Sequence, residues 1–596
     1  MKTKYFQGKK GVKTEIVKVL LGAAFFTLHS SLFTSCSDWD DHFDAGTSVT
    51  ASQEGSLWTN IEQNKELTQF TSLLKKVGYD NLLNQAQSYT VWAPKDGTFD
   101  YAALQQESDA NVLRQFVQNH IARNNYPASG EVGERIYMLN KKVMNFASTA
   151  DGYAMQDVPL QLPSIGANNG IIHQLEGKIP FLPNIYESLN NQDFPIDSIS
   201  DYFHASDTLI LDESRSVQGP AVNGEITYLD EVYTERNELY SYYRAYINRE
   251  DSSYSMLVPN NEAWTKAKNR LNQLFTFPDQ LRTSLFIENN GKFERKDTTI
   301  TINNAAHVQD SIVNRWILNN LFFNNRLYDN QKLANLQDGE TLVCDSLRNT
   351  CDYIYNAAEA RELLKDAKRV DKSNGAIFIT DTLRQPVWKG WCPMIQVEAE
   401  NNYYLASYDN TFREPQRKRV SSSNQNPQVS GNVSNGYYLE VEPASSTSDE
   451  KVWFFLPNVR SATYRAFIRI VPSNITNTYI TEVLPNRFRA YMGYSNINAT
   501  SGRLEVKEYQ FKTTPEDRAN FESDPTGLSL IDLGEVTFPH CYSNLGDYYP
   551  WLRIESNPGR GDYDHTLRID YIMLIPVELY DKLQEDPDYL RNNPLR

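Results

Sequence analysis

Nothing constrains the fold of this chain more than its resemblance to itself. The run from Tyr89 to Phe99 (YTVWAPKDGTF) aligns without a gap to the run from Tyr254 to Trp264 (YSMLVPNNEAW). Each reads as a strand stopped by Pro94 or Pro259, whose missing N–H ends a ladder. Asp96 and Asn261 then stand where the cap of a following helix is expected. A second match sets Val112–Ile121 against Ile312–Leu321, with apolar residues at i, i+1, i+4, i+5 and i+9, a helical stripe. A third sets Asn169-Gly170 against Asn374-Gly375, each opening an apolar run, which reads as a tight turn feeding a strand. Three landmarks in one order predict two copies of an α/β unit. The wider gap in the second copy predicts an insertion, at about 265–311, of about 35 residues.

At these residues the chain resembles the fasciclin domain family, over 55–182 and, in a more degenerate form, over 183–387. The resemblance implies two small α/β domains and an adhesion role. The family's Tyr-His pair stands here as Asn119-His120 in the first copy and Asn319-Asn320 in the second. His120 and His173 are expected to pack or to anchor turns.

The first 35 residues read as an address. Lys2, Lys4, Lys9, Lys10 and Lys13 precede an apolar run from Val19 to Phe26, and the segment closes on Leu32-Phe33-Thr34-Ser35-Cys36. This resembles a lipoprotein signal in which Cys36 becomes the lipidated first residue. Asp38, Asp40, Asp41 and Asp44 follow, in an acidic tether over 36–54. Such acidic runs resemble the surface-export signal of lipoproteins of the Bacteroidetes type, which implies a protein anchored to the outer membrane and exposed at the cell surface.

Composition narrows the classes further. The charge of −17 removes the phosphate neutralisation on which nonspecific nucleic-acid binding rests, so no nucleic-acid partner is expected. Hydrophobic residues at 40% of the 596 suffice for several cores. Beyond Cys36 four cysteines remain, with three pairings open. Cys344 and Cys351 are spaced to close a small hairpin loop; Cys392 and Cys541 are a second candidate pair.

From residue 391 short alternating runs replace helical stripes: 394–399, 436–442, 451–456, 462–471, 503–509, 528–533, 551–555 and 567–576. Eight such runs divided by Pro, Gly, Asn and Ser predict a β-sandwich, with 415–434 as a long loop. The first run with its Glu398 and Glu400, and the last with its Asp570, resemble the end strands of carbohydrate-binding modules of the galactose-binding-like jelly-roll type, over 391–578. A tail, 579–596, follows. The expected architecture is therefore two α/β fasciclin-like domains followed by an all-β jelly-roll sandwich. The second resemblance implies a structural Ca²⁺ held by Glu398, Glu400 and Asp570, whose hard oxygen donors suit that ion; no other cofactor is expected.

Sugar rings need an aromatic face with polar groups beside it. Tyr403 and Tyr404, and the stretch holding Asn544, Asp547, Tyr548, Tyr549 and Trp551, have that makeup. No HExxH, GxSxG or P-loop pattern occurs, and no enzyme is expected. Together these features predict a noncatalytic surface lipoprotein that binds a polysaccharide or oligosaccharide beside an outer-membrane transporter and its lid lipoprotein. The alternative is a protein–protein adhesion or assembly module.

Overall fold

The computed structural model describes residues 50–190, 193–211, 213, 217–218, 226–230, 233–289, 292–337, 339–401, 405–408, 415–420, 426, 429–445, 448–475, 482–512, 520–543, 545, 549–559 and 561–593. Cys36 and the acidic tether up to 49 lie outside them. The chain divides into two compact units, Met1–Leu182 and Pro183–Arg596.

In the first unit Tyr89–Pro94 is central. It pairs in parallel with Gly170–Leu175 and antiparallel with Ile121–Arg123. The sheet continues through Val158–Ala167, Gly152–Met155, Val143–Thr149 and Gly133–Tyr137, with Thr50–Ser52 parallel to Val158–Ala167. The period of two in the central strand sorts its side chains. Tyr89, Val91 and Ala93 join a core with Leu57, Phe70, Leu74 and Phe116, whereas Trp92 points into a second core with Met138, Phe146 and Met155. Burying such side chains contributes about 1.5–3 kcal/mol each.

The second unit opens with the same geometry. Tyr254–Pro259 pairs in parallel with Gly375–Thr380, residue for residue as in the first unit, and antiparallel with Phe322–Asn324. The Asn169 side chain accepts from the Leu57 N–H and donates to the Leu83 and Gln85 carbonyls. Asn374 repeats this with Ile185, Ile247 and Arg249. The two-residue turns are Asn168-Asn169 and Ser373-Asn374, so each glycine already belongs to the strand. A Cβ on Gly170 would lie 1.9 Å from the Tyr89 carbonyl oxygen, and one on Gly375 1.8 Å from that of Tyr254. Glycine is there because two backbones meet.

The expected caps are placed differently. Asp96 accepts from the Thr68 and Gln69 N–H groups and so caps the earlier helix Thr68–Lys76. Asn261 accepts from Ser198 N–H, in the first turn of Asp197–His204. The following helices are capped by Asp100 and Asn260 instead. A residue two places beyond the strand-ending proline thus ties down the helix that precedes the strand, in both copies. The insertion is a hairpin, Gln280–Asn289 with Lys292–Thr301, paired along its whole length.

Beyond residue 391 two six-stranded sheets form, and the pairing within them is antiparallel throughout. One centres on Leu567–Pro576, the other on Trp551–Ser556 and Arg487–Ile497. Ala466, Ile468 and Ile572 of the first share one buried cluster with Phe454, Ala490 and Leu552 of the second. The stretch 415–434 contains a strand, Gln416–Arg419, whose charged side chains suit the sheet edge it occupies beside Tyr437–Val441. Residues beyond 578 fold too: Val577–Glu585 is helical, and Leu579 and Tyr589 pack with Phe467 and Ile575.

The Cys344–Cys351 bridge is not formed; these two residues, and Cys392 and Cys541, stand as thiols and not as disulfides. The hairpin Ser346–Arg348 with Ile354–Asn356 pairs Arg348 with Ile354, which puts Cys351 at its apex and Cys344 beyond its far end. Each strand residue advances the chain about 3.3 Å, so three of them outrun the roughly 7 Å limit between bridged Cα atoms. The Cys351 thiol donates to Asn319 Oδ1 at 3.1 Å instead.

Candidate functional site

The strand Ile395–Glu398 pairs with Tyr571–Leu574 of the last strand, and the Ala399 N–H donates to the Asp570 carbonyl. This register brings the predicted carboxylates to one end of the sandwich. Between Ile569 and Ile572 the last strand holds one residue more than its neighbour, where Ile468–Ile470 spans the same ladder. Such a bulge re-aims a side chain, and Asp570 is fully buried beside it. Both Asp570 oxygens accept from the Ser434 N–H, at 3.1 and 3.2 Å, while Ser434 Oγ donates to Glu398 Oε1 at 3.0 Å. Ser434 is therefore the bridge between the two strands' carboxylates.

Glu398 and Glu400 line a pocket of about 400 Å³ with Asn401, Arg417, Asn435 and Tyr437. Burial pushes Asp570 up to about 7, and the charges of Glu398 and Glu400 add to it, against the Ser434 N–H and Arg469. Burial also raises Glu400. The Oε2 atoms of Glu398 and Glu400 are both buried without a hydrogen-bond partner. Two orphaned carboxylate oxygens in one pocket suit a hard cation in donor chemistry. Among the described residues, however, no three His, Cys, Asp or Glu side chains converge into a metal cage. Arg417 and Ser434 escape a reading of the sequence because both lie in the stretch that reads as loop.

The predicted sugar-binding aromatics fare otherwise. Tyr403, Tyr404, Asn544, Asp547 and Tyr548 lie outside the described residues. Trp551 is 1% exposed, packed with Trp453 and flanked by Tyr491 and Phe455. Its indole N–H donates to Ser284 Oγ in the inserted hairpin at 3.1 Å. Ser284 also bridges to Tyr549, and the Thr283 hydroxyl donates to the Tyr549 carbonyl. The expectation that Trp551 faces a sugar is corrected here: the hairpin covers this face, a contact that no local pattern announces.

In the first unit Asn119 and His120, at the place of the family's Tyr-His pair, are also internal. His120 is wholly buried; its Nδ1–H donates to the Phe116 carbonyl and its Nε2 accepts from Ile179 N–H. His173 donates from Nε2 to the Tyr126 carbonyl and accepts from the Ser164 hydroxyl at Nδ1. Burial lowers both to about 4, so both are neutral, satisfied anchors. In the second unit Asn320 takes the corresponding role, donating to the Lys389 carbonyl.

An α/β unit built on a parallel strand pair, its strand geometry repeated, and a two-sheet segment define a multidomain protein. Residues 65–179 match the fasciclin domain family, so the first unit holds a fasciclin domain. No curated protein matches the chain. Among solved structures, a xanthan lyase from Paenibacillus is similar at 14% identity and a TM-score of 0.18, over 34% of this chain and 15% of its own. A FAS1 domain pair from the insect cell adhesion molecule Fasciclin I is similar at 11% identity and a TM-score of 0.19, over 55% of this chain and 98% of its own. Overlaps at such TM-scores fix nothing further about this chain.

Proposed function

We propose that this chain is a noncatalytic adhesion or assembly protein, held at the outer membrane by a lipid on Cys36 and joined to protein partners at the cell surface. The fasciclin domain at 65–179 carries this reading, because that domain generally occurs in adhesion-type proteins. In the same reading the segment 183–387 is a second, diverged fasciclin unit, supported by the repeated strand register and the repeated Asn clamp. The two-sheet segment is a jelly roll of carbohydrate-binding-module type, supported by its end strands. Glycan capture at Trp551 is not what the geometry favours, since the chain's own hairpin occupies that face.

A Ca²⁺ in this pocket would take its carboxylate oxygens from Glu398 and Glu400, and Ser434, which joins Glu398 to the buried Asp570, would tie the first strand of the sandwich to the last. The adhesion reading is tested by pull-down of tagged full-length protein from outer membranes. A stoichiometric protein partner, such as a transporter with its lid lipoprotein, is expected. Retention only on polysaccharide, with no protein captured, would overturn it.

A further inference from the structure

The second unit carries a small pocket that the adhesion reading leaves unused. It encloses about 210 Å³, and its wall includes Arg244, Leu327, Tyr328, Arg348, Thr350 and Asp352. Three of these residues have left-handed backbones: Arg244 at φ 52°, Tyr328 at φ 55° and Asp352 at φ 73°. Each costs roughly 1–2 kcal/mol for a residue with a Cβ. Strain of this kind gathers where a fold must present chosen side chains at one place.

Those side chains do meet. Arg244 Nη2 donates to Asp352 Oδ2 at 2.7 Å and Arg348 Nη2 to Oδ1 at 3.0 Å. The Arg348 guanidinium lies 4.7 Å from the Tyr328 ring centroid, and its Nη1 donates to the Tyr328 hydroxyl. The Arg244 hydrogen bond holds the Asp352 carboxyl below the usual carboxylate range, so it stays ionised. Two guanidinium groups against one carboxylate leave this cluster cationic in a chain of charge −17. Moreover, Arg348 Nε and Thr350 Oγ1 are buried polar atoms with no hydrogen-bond partner. Each such orphan costs about 1–3 kcal/mol, which a bound polar molecule would relieve.

We propose that this pocket is a binding site for one acidic sugar ring, a uronate. Its volume falls below the roughly 300 Å³ at which pockets for drug-sized ligands begin, which leaves room for a single ring. Arg244 has five N–H donors and spends one on Asp352, so it can grip a carboxylate in fork geometry. Ring hydroxyls find acceptors in the outer lone pairs of Asp352 and a partner in Thr350. The apolar ring face finds Leu327 and Tyr328, which are 52% and 58% exposed. A bare carboxylate would leave those acceptors idle, and a neutral hexose would leave the extra positive charge unmatched.

Full-length protein titrated with D-glucuronate at ~50 mM salt, with D-glucose and acetate as controls, tests this by calorimetry and saturation-transfer NMR. Saturable glucuronate binding is expected, about tenfold tighter than either control and weakened about tenfold by Arg244→Gln, an exposed site at which folding is not at stake. Thr350→Val should weaken it by a smaller factor while raising the thermal midpoint of the free protein, since it removes the orphaned hydroxyl. Absence of saturable binding, equal affinity for acetate, or an Arg244→Gln variant that binds as well as the native chain would each overturn the proposal. Pull-down of a protein partner does not depend on these substitutions, so the two readings fail separately.

Discussion

Buried titratable side chains give this protein opposite leanings with pH. Glu450 is fully buried, and burial pushes it up to about 7 from an ordinary 4.5. A carboxyl whose folded value is raised stabilises the native state below about 4.5, and that contribution is lost as pH rises toward 7. Glu450→Gln should therefore flatten the loss in the second unit between those limits, by about 2–3 kcal/mol, read from chemical denaturation at pH 5 and 8. His120 and His173 act in the reverse sense. Held neutral near 4, they support the first unit above 6.5 and withdraw that support as pH falls. Hydrogen exchange at pH 5 should show the first unit loosening before the second. For the carboxylate pocket the test is thermal. Calcium at ~100 times its dissociation constant would add about 2.7 kcal/mol, a rise of roughly 3 °C for a cooperative unit as large as 183–596. Glu398→Gln with Glu400→Gln should abolish that rise, and a calcium response that survives the double change would place the ion elsewhere.

Among elements, the parallel pair at the heart of each α/β unit is the most exposed to single changes. Gly375→Ala forces a Cβ into the Tyr254 carbonyl, and Gly170→Ala does the same at Tyr89. Each should cost on the order of 3–5 kcal/mol, visible as a drop in the denaturation midpoint of its own unit. Both strands of each pair were legible in the sequence, since a buried parallel strand is a short apolar run and Pro94 and Pro259 mark its end. The eight short runs beyond 391 likewise each hold a strand. Arg487–Ile497 escaped notice although Phe488, Ala490 and Met492 alternate clearly, because Asn496 interrupts that apolar face and Gly493 the opposite one. Glycine there makes room for a neighbour: a Cβ on Gly493 would lie 2.0 Å from the Trp551 ring. The carboxylates of the candidate site were legible because they flank two recognisable strands. The burial of Trp551 was not, since its partner Ser284 lies 267 residues away.

At the scale of the molecule, the second unit does not stop where its sequence texture changes at 391. One buried cluster runs from Ile185 through Leu321 and Trp391 to Leu574. Arg460, 2% exposed, is a wedge in it: its guanidinium lies over Phe275 and Trp316, and its Nε donates to the Trp391 carbonyl. Ser461 and Leu274 add a backbone hydrogen bond across the same seam, and Cys541 and Thr276 another. Arg460→Ala should cost about 3–5 kcal/mol, because it strips buried carbonyls of a charged donor and opens a hole between two rings. Unfolding of 183–596 should remain a single transition in calorimetry; two separated transitions would refute the shared core. The strand-rich segment is consequently not a cassette. A cloning or recombination boundary near residue 390 would cut through packed side chains and not through a linker, so the excised piece would carry a raw apolar flank and tend to clump. Transplanted into an unrelated host protein, it would need the helix ending at Leu274 to travel with it.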